Sequence, residues 1–391
     1  MNERELRRLL ASVSPPDAPG AERRAWSVVR AAFAEREPAR PRRRLLRPAL
    51  AVATAVALIA AAASPPGRAV LDSLRDAIAP TRVEPSKPAL ARLPAPGRLL
   101  VNSVKGPWIV QHDGSKRLIG PYRDASWSPH GLFVVAAGRH ELVATTPSGS
   151  VRWTLTRRGR LAAPRWAGSK VDTRIAYLQG RVLRVVAGDG RRDRVLDRSV
   201  EPVAPAWRPG RRFVLAYVDR GGDVVARDAD SGDVLWRARA DGPARLLAWS
   251  PARDRLIVVT PRGLTVLRAD GLPLRRAGAT GVTAAAVAPD GDEIAVVRQL
   301  GSEQSEVRLL STATLAGRRL FLGIGALTDL AWSPDGGWLV VGWQSANQWL
   351  FLRPGRSKVV PVSDIARQFA PGSPETATFP RVAPQGWCCL D

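Results

Sequence analysis

The apolar positions follow two rhythms, and the change between them divides the chain. In residues 1–44 apolar side chains recur at helical spacing. "NERELRRLL" (2–10) reads as a short helix with Asn2 as its N-cap. Trp26, Val29 and Phe33 fall on one face of a second helix over 20–37. In the next stretch, 45–63, Arg47 is the only charged side chain. A helix needs about 20 largely apolar residues to span a bilayer, so 45–63 is expected to cross a membrane once. The Arg-rich block over 40–47 places 1–44 in the cytoplasm and the rest of the chain outside, at a bacterial plasma membrane. Cleavage near Ala63 is the alternative, although a leader of such length is unusual for a signal peptide. Residues 64–97 continue with a juxtamembrane helix, apolar at Val70, Leu71, Leu74 and Ile78. A linker with five prolines between Pro80 and Gly97 follows.

From residue 98 onward the rhythm becomes that of short strands. One unit reads "DASWSP", "LFVVAAG", "ELVATTP", "VRWTL" (124–155), four β-type runs separated by turns. Its leading position, Trp127, recurs at Trp166, Trp207, Trp249, Val287 and Trp332, at intervals of 38 to 45 residues. Four strands per unit at that period are the signature of a β-propeller. Three further runs precede Trp127 without a leading strand. The C-terminal "VAPQG", beginning at Val382, matches "VAPDG" at Val287 and supplies one. The expected fold is therefore all-β: a propeller over 98–391 with seven blades, closed by a blade that both chain ends share. Six blades are the alternative, with the terminal strands only capping an end. Residues 363–378 are expected to form a long loop on one face. The repeated Trp supplies blade-to-blade contact area, and its Pro-Asp-Gly turns supply the backbone angles, so these positions are read as structural.

Composition changes this picture little. Apolar residues make up 45% of the 391, enough for a large core, and the formal net charge is +24. The basic residues number 59, of which only five are Lys, and they are spread along the chain. No nucleic-acid recognition motif accompanies them, so nucleic acid is not an expected partner. His112, His130 and His140 have no metal-ligand spacing. Cys388 and Cys389 are adjacent, which disfavours disulfide geometry, and free thiols are expected. No catalytic, cofactor-binding or metal-binding residue is assigned.

The Trp-Ser-Pro phrases at Trp127, Trp249 and Trp332 resemble the WD-like repeats of TolB-type periplasmic propellers. That resemblance implies a binding platform in the cell envelope; the Gly-x-Ser-x-Gly motif of peptidases that carry such propellers is absent. Residues 144–156 and 226–242 are similar to the tryptophan-docking repeats of quinoprotein propellers, which include pyrroloquinoline quinone dehydrogenases and outer-membrane assembly lipoproteins. The dehydrogenases also use vicinal cysteines, a parallel to Cys388-Cys389. The overall layout resembles transmembrane anti-sigma regulators, but residues 1–47 contain no His or Cys for their zinc motif.

The expectation is a non-enzymatic, single-pass membrane protein whose extracytoplasmic propeller binds protein partners on its face, without a cofactor. The first alternative is a zinc-free, anti-sigma-like regulator that engages a cytoplasmic partner through Trp26, Val29 and Phe33. The second is a quinoprotein-like oxidoreductase.

Overall fold

The computed structural model describes residues 82–83, 89–210, 212–251, 253–356, 358–372 and 381–389. The sequence-expected helices of 1–44, the span at 45–63 and the helix over 65–79 lie outside the described residues. Among the described residues no helix is long and apolar enough to cross a membrane.

Seven sheets make up the fold, six of four antiparallel strands and one in which four antiparallel strands are joined by a fifth, parallel one. In chain order, blades 2 to 7 occupy 124–156, 161–197, 206–239, 246–277, 282–324 and 327–362. Blade 1 joins the two ends of the domain: Ala383–Cys388 is its inner strand, followed outward by Arg98–Ser103, Gly106–Val110 and Lys116–Leu118. The inner strands of successive blades lie side by side around the axis. Arg82–Val83 adds a parallel edge to Lys358–Val362 in blade 7. The ring is thus seven-bladed and closed by shared strands, as the repeat spacing implies.

Burial explains why the sequence alternates so little. The second and third strands of each blade are covered on both faces by the neighbouring blades. They therefore read as continuous apolar runs, such as the fully buried Val134–Ala137 and Val214–Val218. The outermost strands of blades 2 and 4, Val151–Thr156 and Val234–Arg239, alternate instead between exposed and half-buried positions.

The leading Trp of a blade is seated on the blade before it. Trp332 packs against Val297, Val307 and Leu309 of blade 6, and Trp207 against Ala176, Leu178 and Val185 of blade 3. The indole also donates a hydrogen bond across the seam. Trp127 Nε1 reaches Gly386 O at 3.2 Å, Trp207 Nε1 reaches Arg165 O at 2.8 Å, and Trp332 Nε1 reaches Ala286 O at 3.1 Å. Trp166, Trp249 and Val287 occupy the same place in blades 3, 5 and 6, where Trp166 and Trp249 find no acceptor for the indole nitrogen.

In blade 1 the leading position belongs to Trp387, not to Val382 as the sequence match suggests. Trp387 follows the acceptor Gly386, packs on Phe351 of blade 7, and donates to Pro96 O at 3.0 Å. The "VAPQG" phrase misleads because its last four residues lie inside this strand, which carries a β-bulge opposite Leu100 and Val101. In the other blades the matching phrase straddles the strand end. Val382 is buried just before the strand, where its carbonyl accepts from Trp349 Nε1.

Two further segments depart from expectation. Residues 89–97, read as the end of a linker, are folded onto the ring: Leu90, Leu93 and Ala95 are buried with Trp349, Val360 and Phe369. Leu93 N–H donates to His112 O at 3.0 Å. Apolar side chains between prolines give no strand or helix period, so this docked coil has no sequence signature. The 363–378 loop contains a short helix, Ile365–Phe369, whose Ile365 and Phe369 fill the seam between blades 7 and 1. Cys388 and Cys389 form a vicinal disulfide where free thiols were expected. Gly131, at φ +65°, lies directly beneath the Cys389 sulfur and leaves no room for a Cβ.

The Trp seat gives a quantitative expectation. Trp332→Ala should destabilise the fold by about 3–5 kcal/mol, as for other buried aromatic truncations. Trp332→Phe should cost about 1 kcal/mol, chiefly the indole hydrogen bond. Denaturant midpoints at unchanged slope would measure both.

Candidate functional site

Three places in the ring could carry function: the axial cavity, the buried polar clusters and the two faces formed by the turns. The axial cavity, about 420 Å³, is walled by inner strands. Its lining holds Arg165, Arg245, Asp329 and Gln385, and is otherwise Ala, Leu, Val, Trp and Pro. Asp329 is engaged by Arg381, with Nε to Oδ2 at 2.9 Å. Arg165 lies 3.9 Å from Asp124, which also accepts from Asn102 at 3.1 Å. No nucleophile stands beside a base in this lining. What remains are two exposed-edge guanidiniums that could hold an anionic group.

The buried polar clusters serve the blade seams. Asp193, almost fully buried, accepts from Tyr177 at 2.7 Å, from Arg157 Nε at 2.9 Å and from Arg184. Tyr177 and Arg184 belong to blade 3, whereas Arg157 comes from the connection out of blade 2. Burial alone would raise the Asp193 pKa, but the hydrogen bonds from Arg184, Tyr177 and Arg157 outweigh it and hold the carboxyl below the usual range. Burial, reinforced by the hydrogen bond to Asp193, pushes the Tyr177 phenol up to about 12. A second cluster repeats the device one blade on: Tyr217 of blade 4 donates to Asp197 of blade 3 at 2.8 Å, with Arg227 3.6 Å away.

The outermost strands add a third kind of seam. Trp153 Nε1 donates to Gly188 O at 2.9 Å, and Trp236 Nε1 to Ala269 O at 2.7 Å, each reaching the next blade. The ring of Trp153 covers Gly190, and that of Trp236 covers Gly271. A Cβ at either glycine would fall within 2.8 Å of the indole. These are docking tryptophans, and they lie in the two segments that resemble quinoprotein-type repeats.

The turns fall into two sets. One face carries the hairpins joining second to third strands and the blade-to-blade connections; the other carries the remaining hairpins. On the first face, the turns of blades 1–5 hold eleven Arg and Lys against three Asp and Glu. On the opposite face, the described turns of the same blades hold six against eight. The opposite-face charges are largely used in structure. Arg253 bridges to Asp292 at 2.6 Å and Arg174 to Asp230 at 2.9 Å, each across a seam. Asp189, Asp228, Asp270 and Asp290 cap their own turns through backbone N–H groups.

On the first face, all three acidic residues are already matched: Arg181 with Glu201, Arg237 with Asp219 and Arg262 with Asp241. The exposed Arg139, Arg158, Arg160, Arg198, Arg220 and Arg245 have no acidic partner among the described residues. Two grooves open among them. One, about 730 Å³, lies between blades 4 and 5 and is lined by Arg220, Arg239, Arg262 and Arg276. The other, about 390 Å³, is lined by Arg158, Arg160 and Arg198.

The sequence reading did not single out this face. A signal was present: Lys105, Arg139, Arg181, Arg220 and Arg262 recur 34 to 42 residues apart, close to the period of the repeat itself. Of the histidines, His112 is structural, with Nδ1 2.9 Å from Ala95 O and Nε2 near Arg92. Among the described residues no three His, Cys, Asp or Glu side chains cluster as a metal site. Trp26, Val29 and Phe33 lie outside the described residues.

Asp193 yields a prediction with a sign. Asp193→Asn leaves Arg157 and Arg184 without their counter-charge. The cost should be about 3 kcal/mol, the low end for one broken side of a buried pair, because both arginines reach solvent. The native carboxyl titrates below its unfolded value of about 3.9. Its contribution is therefore present above that value and lost as pH falls through the lower native one. Below about pH 4 the wild-type protein should lose stability more steeply than Asp193→Asn.

Comparison with known proteins agrees with this construction. Residues 108–246 match the family described as outer membrane protein assembly factor BamB. The match contains both docking tryptophans. No curated protein matches the chain. Among solved structures, a protein provisionally named a 6-phosphogluconolactonase, from Bacteroides fragilis, is 13% identical, covers 75% of this chain and 98% of its own, and superposes with a TM-score of 0.52. Hydrazine synthase from Kuenenia stuttgartiensis is 14% identical over 59% of this chain and 75% of its own, with a TM-score of 0.44. At such identities the likeness concerns fold alone. The chain is a seven-bladed β-propeller that carries BamB-type repeats over 108–246.

Proposed function

We propose that the protein is a non-enzymatic binding platform of the bacterial cell envelope, anchored through residues 45–63, with its propeller outside the plasma membrane and a protein partner on the propeller face. The observation that carries this reading is the division of labour among charged groups. The most deeply buried acids, Asp193 and Glu306, are bound to arginines, while one face leaves guanidiniums exposed and uncommitted. The BamB-type match supports it, since that family is described as an assembly factor. The anchor and its orientation rest on the apolar 45–63 segment and the Arg block before it.

The regulator reading keeps the same anchor and adds a cytoplasmic partner on the Trp26, Val29 and Phe33 stripe. The oxidoreductase reading has one feature in its favour, the vicinal disulfide. That disulfide sits against Gly131 and Arg98 and is not part of the axial cavity lining.

Crosslinking and co-purification of the full-length protein from its membrane, beside a version lacking residues 1–44, separates these readings. The platform reading expects the same partner at the same stoichiometry from both. Loss of the partner with residues 1–44 would favour the regulator. Substrate turnover abolished by Arg165→Ala or Asp329→Ala would overturn the non-enzymatic reading.

A further inference from the structure

We propose that the face formed by the second-to-third-strand hairpins and blade connections of blades 1–5 docks an acidic protein segment, whose carboxylates are held by the arc of guanidiniums. The proposal rests on the platform reading and names its surface and partner chemistry.

Five consecutive hairpin tips each present a cation: Lys105, Arg139, Arg181, Arg220 and Arg262, all exposed. The arc then stops. The tip of blade 6 carries Glu303, and that of blade 7, Gln344 to Asn347, carries no charge. A chain that is simply rich in Arg would spread its cations over both faces and all seven blades. In this chain the turns of blades 1–5 carry eleven cations against three acids on one face and six against eight on the other, so the positive excess lies on one face and stops after blade 5.

The grooves show what kind of anion fits. The groove between blades 4 and 5 is lined by four arginines and three acids, Glu201, Asp223 and Asp241, of which Glu201 and Asp241 are already paired, together with the apolar Pro202, Val203, Pro243 and Ala244. It can therefore cover aliphatic groups while its rim pairs with carboxylates. A polypeptide with Asp or Glu among apolar residues presents both at once. A guanidinium fork matches a carboxylate in two parallel hydrogen bonds, which gives register as well as attraction. A single-stranded nucleic acid would instead need aromatic surfaces on which bases stack. The grooves contain none, and the turns of this part of the face hold only two aromatic rings, Tyr122 and His140, in different blades.

The test uses the full-length protein held in phosphatidylcholine nanodiscs, which occupy the 45–63 span, with three probes: poly-L-glutamate, oligothymidylate and phosphatidylglycerol-containing vesicles. Poly-L-glutamate should bind, and added salt should weaken it. Arg158→Glu, Arg160→Glu and Arg220→Glu together should weaken that binding by about tenfold or more. None of the three side chains makes an ion pair, so the fold should survive, which the unfolding midpoint checks. A control triple on the opposite face, Arg191→Glu, Arg212→Glu and Arg356→Glu, removes the same charge and should change binding less than about twofold.

Equal losses from the two triples would overturn the proposal, leaving net charge as the cause. So would preferential binding of the oligonucleotide or the vesicles. If the partner crosslinked in the membrane stays bound to the Arg158, Arg160 and Arg220 triple, the arc is not its docking surface, although the platform reading stands. If no partner is crosslinked at all, it is the platform reading that fails.

Discussion

Everything in this protein follows from the need to cover two faces of every sheet. A four-stranded blade with Val, Leu and Ala on both sides cannot stand alone in water. Burying such area is worth roughly 25 cal/mol per Å², and the gain is realised only when a neighbour lies on each side. Seven blades satisfy the condition only if the ring closes. Closure falls on one strand, Ala383–Cys388, which pairs with Arg98–Ser103 from the other end of the domain. Trp387 and Trp127 flank this junction, one seated on blade 7 and the other bonded to Gly386.

Because the seams are apolar, a polar group placed in them costs stability unless it is satisfied there, and most are, the Trp166 and Trp249 indoles excepted. The Asp193 and Asp197 clusters, the docking Trp153 and Trp236, and the Arg–Asp bridges between turns on one face are solutions to that requirement. They consume many of the chain's charges in holding blades together. The other face is left with guanidiniums that hold nothing. Structure accounts for the first set, and recognition is the natural use of the second.

Much of the ring was legible because its repeat is written in large residues. Trp127, Trp166, Trp207, Trp249 and Trp332 mark five blades directly, and their spacing gives the architecture. Blade 1 was legible as a shared blade but misplaced in register. Val382 and Val287 share a phrase, whereas Trp387 and the other tryptophans share a place. Leu90, Leu93 and Ala95 were not legible as core, because a coil docked between prolines has no period. The charged face was invisible until the turns were sorted by the end of the strand they close, which is a property of topology rather than of local sequence. The vicinal disulfide also went unforeseen, since adjacency alone argued against it.

The most direct measurement places a photo-crosslinking residue in the full-length protein at Arg139 or Arg220, and separately at Ser148 or Ser231 on the opposite face. After illumination in the native membrane, the account predicts a partner adduct from 139 and 220 and none from 148 and 231. Adducts that form chiefly from 148 and 231 would contradict it, since the partner would then sit on the face whose charges the ring already uses.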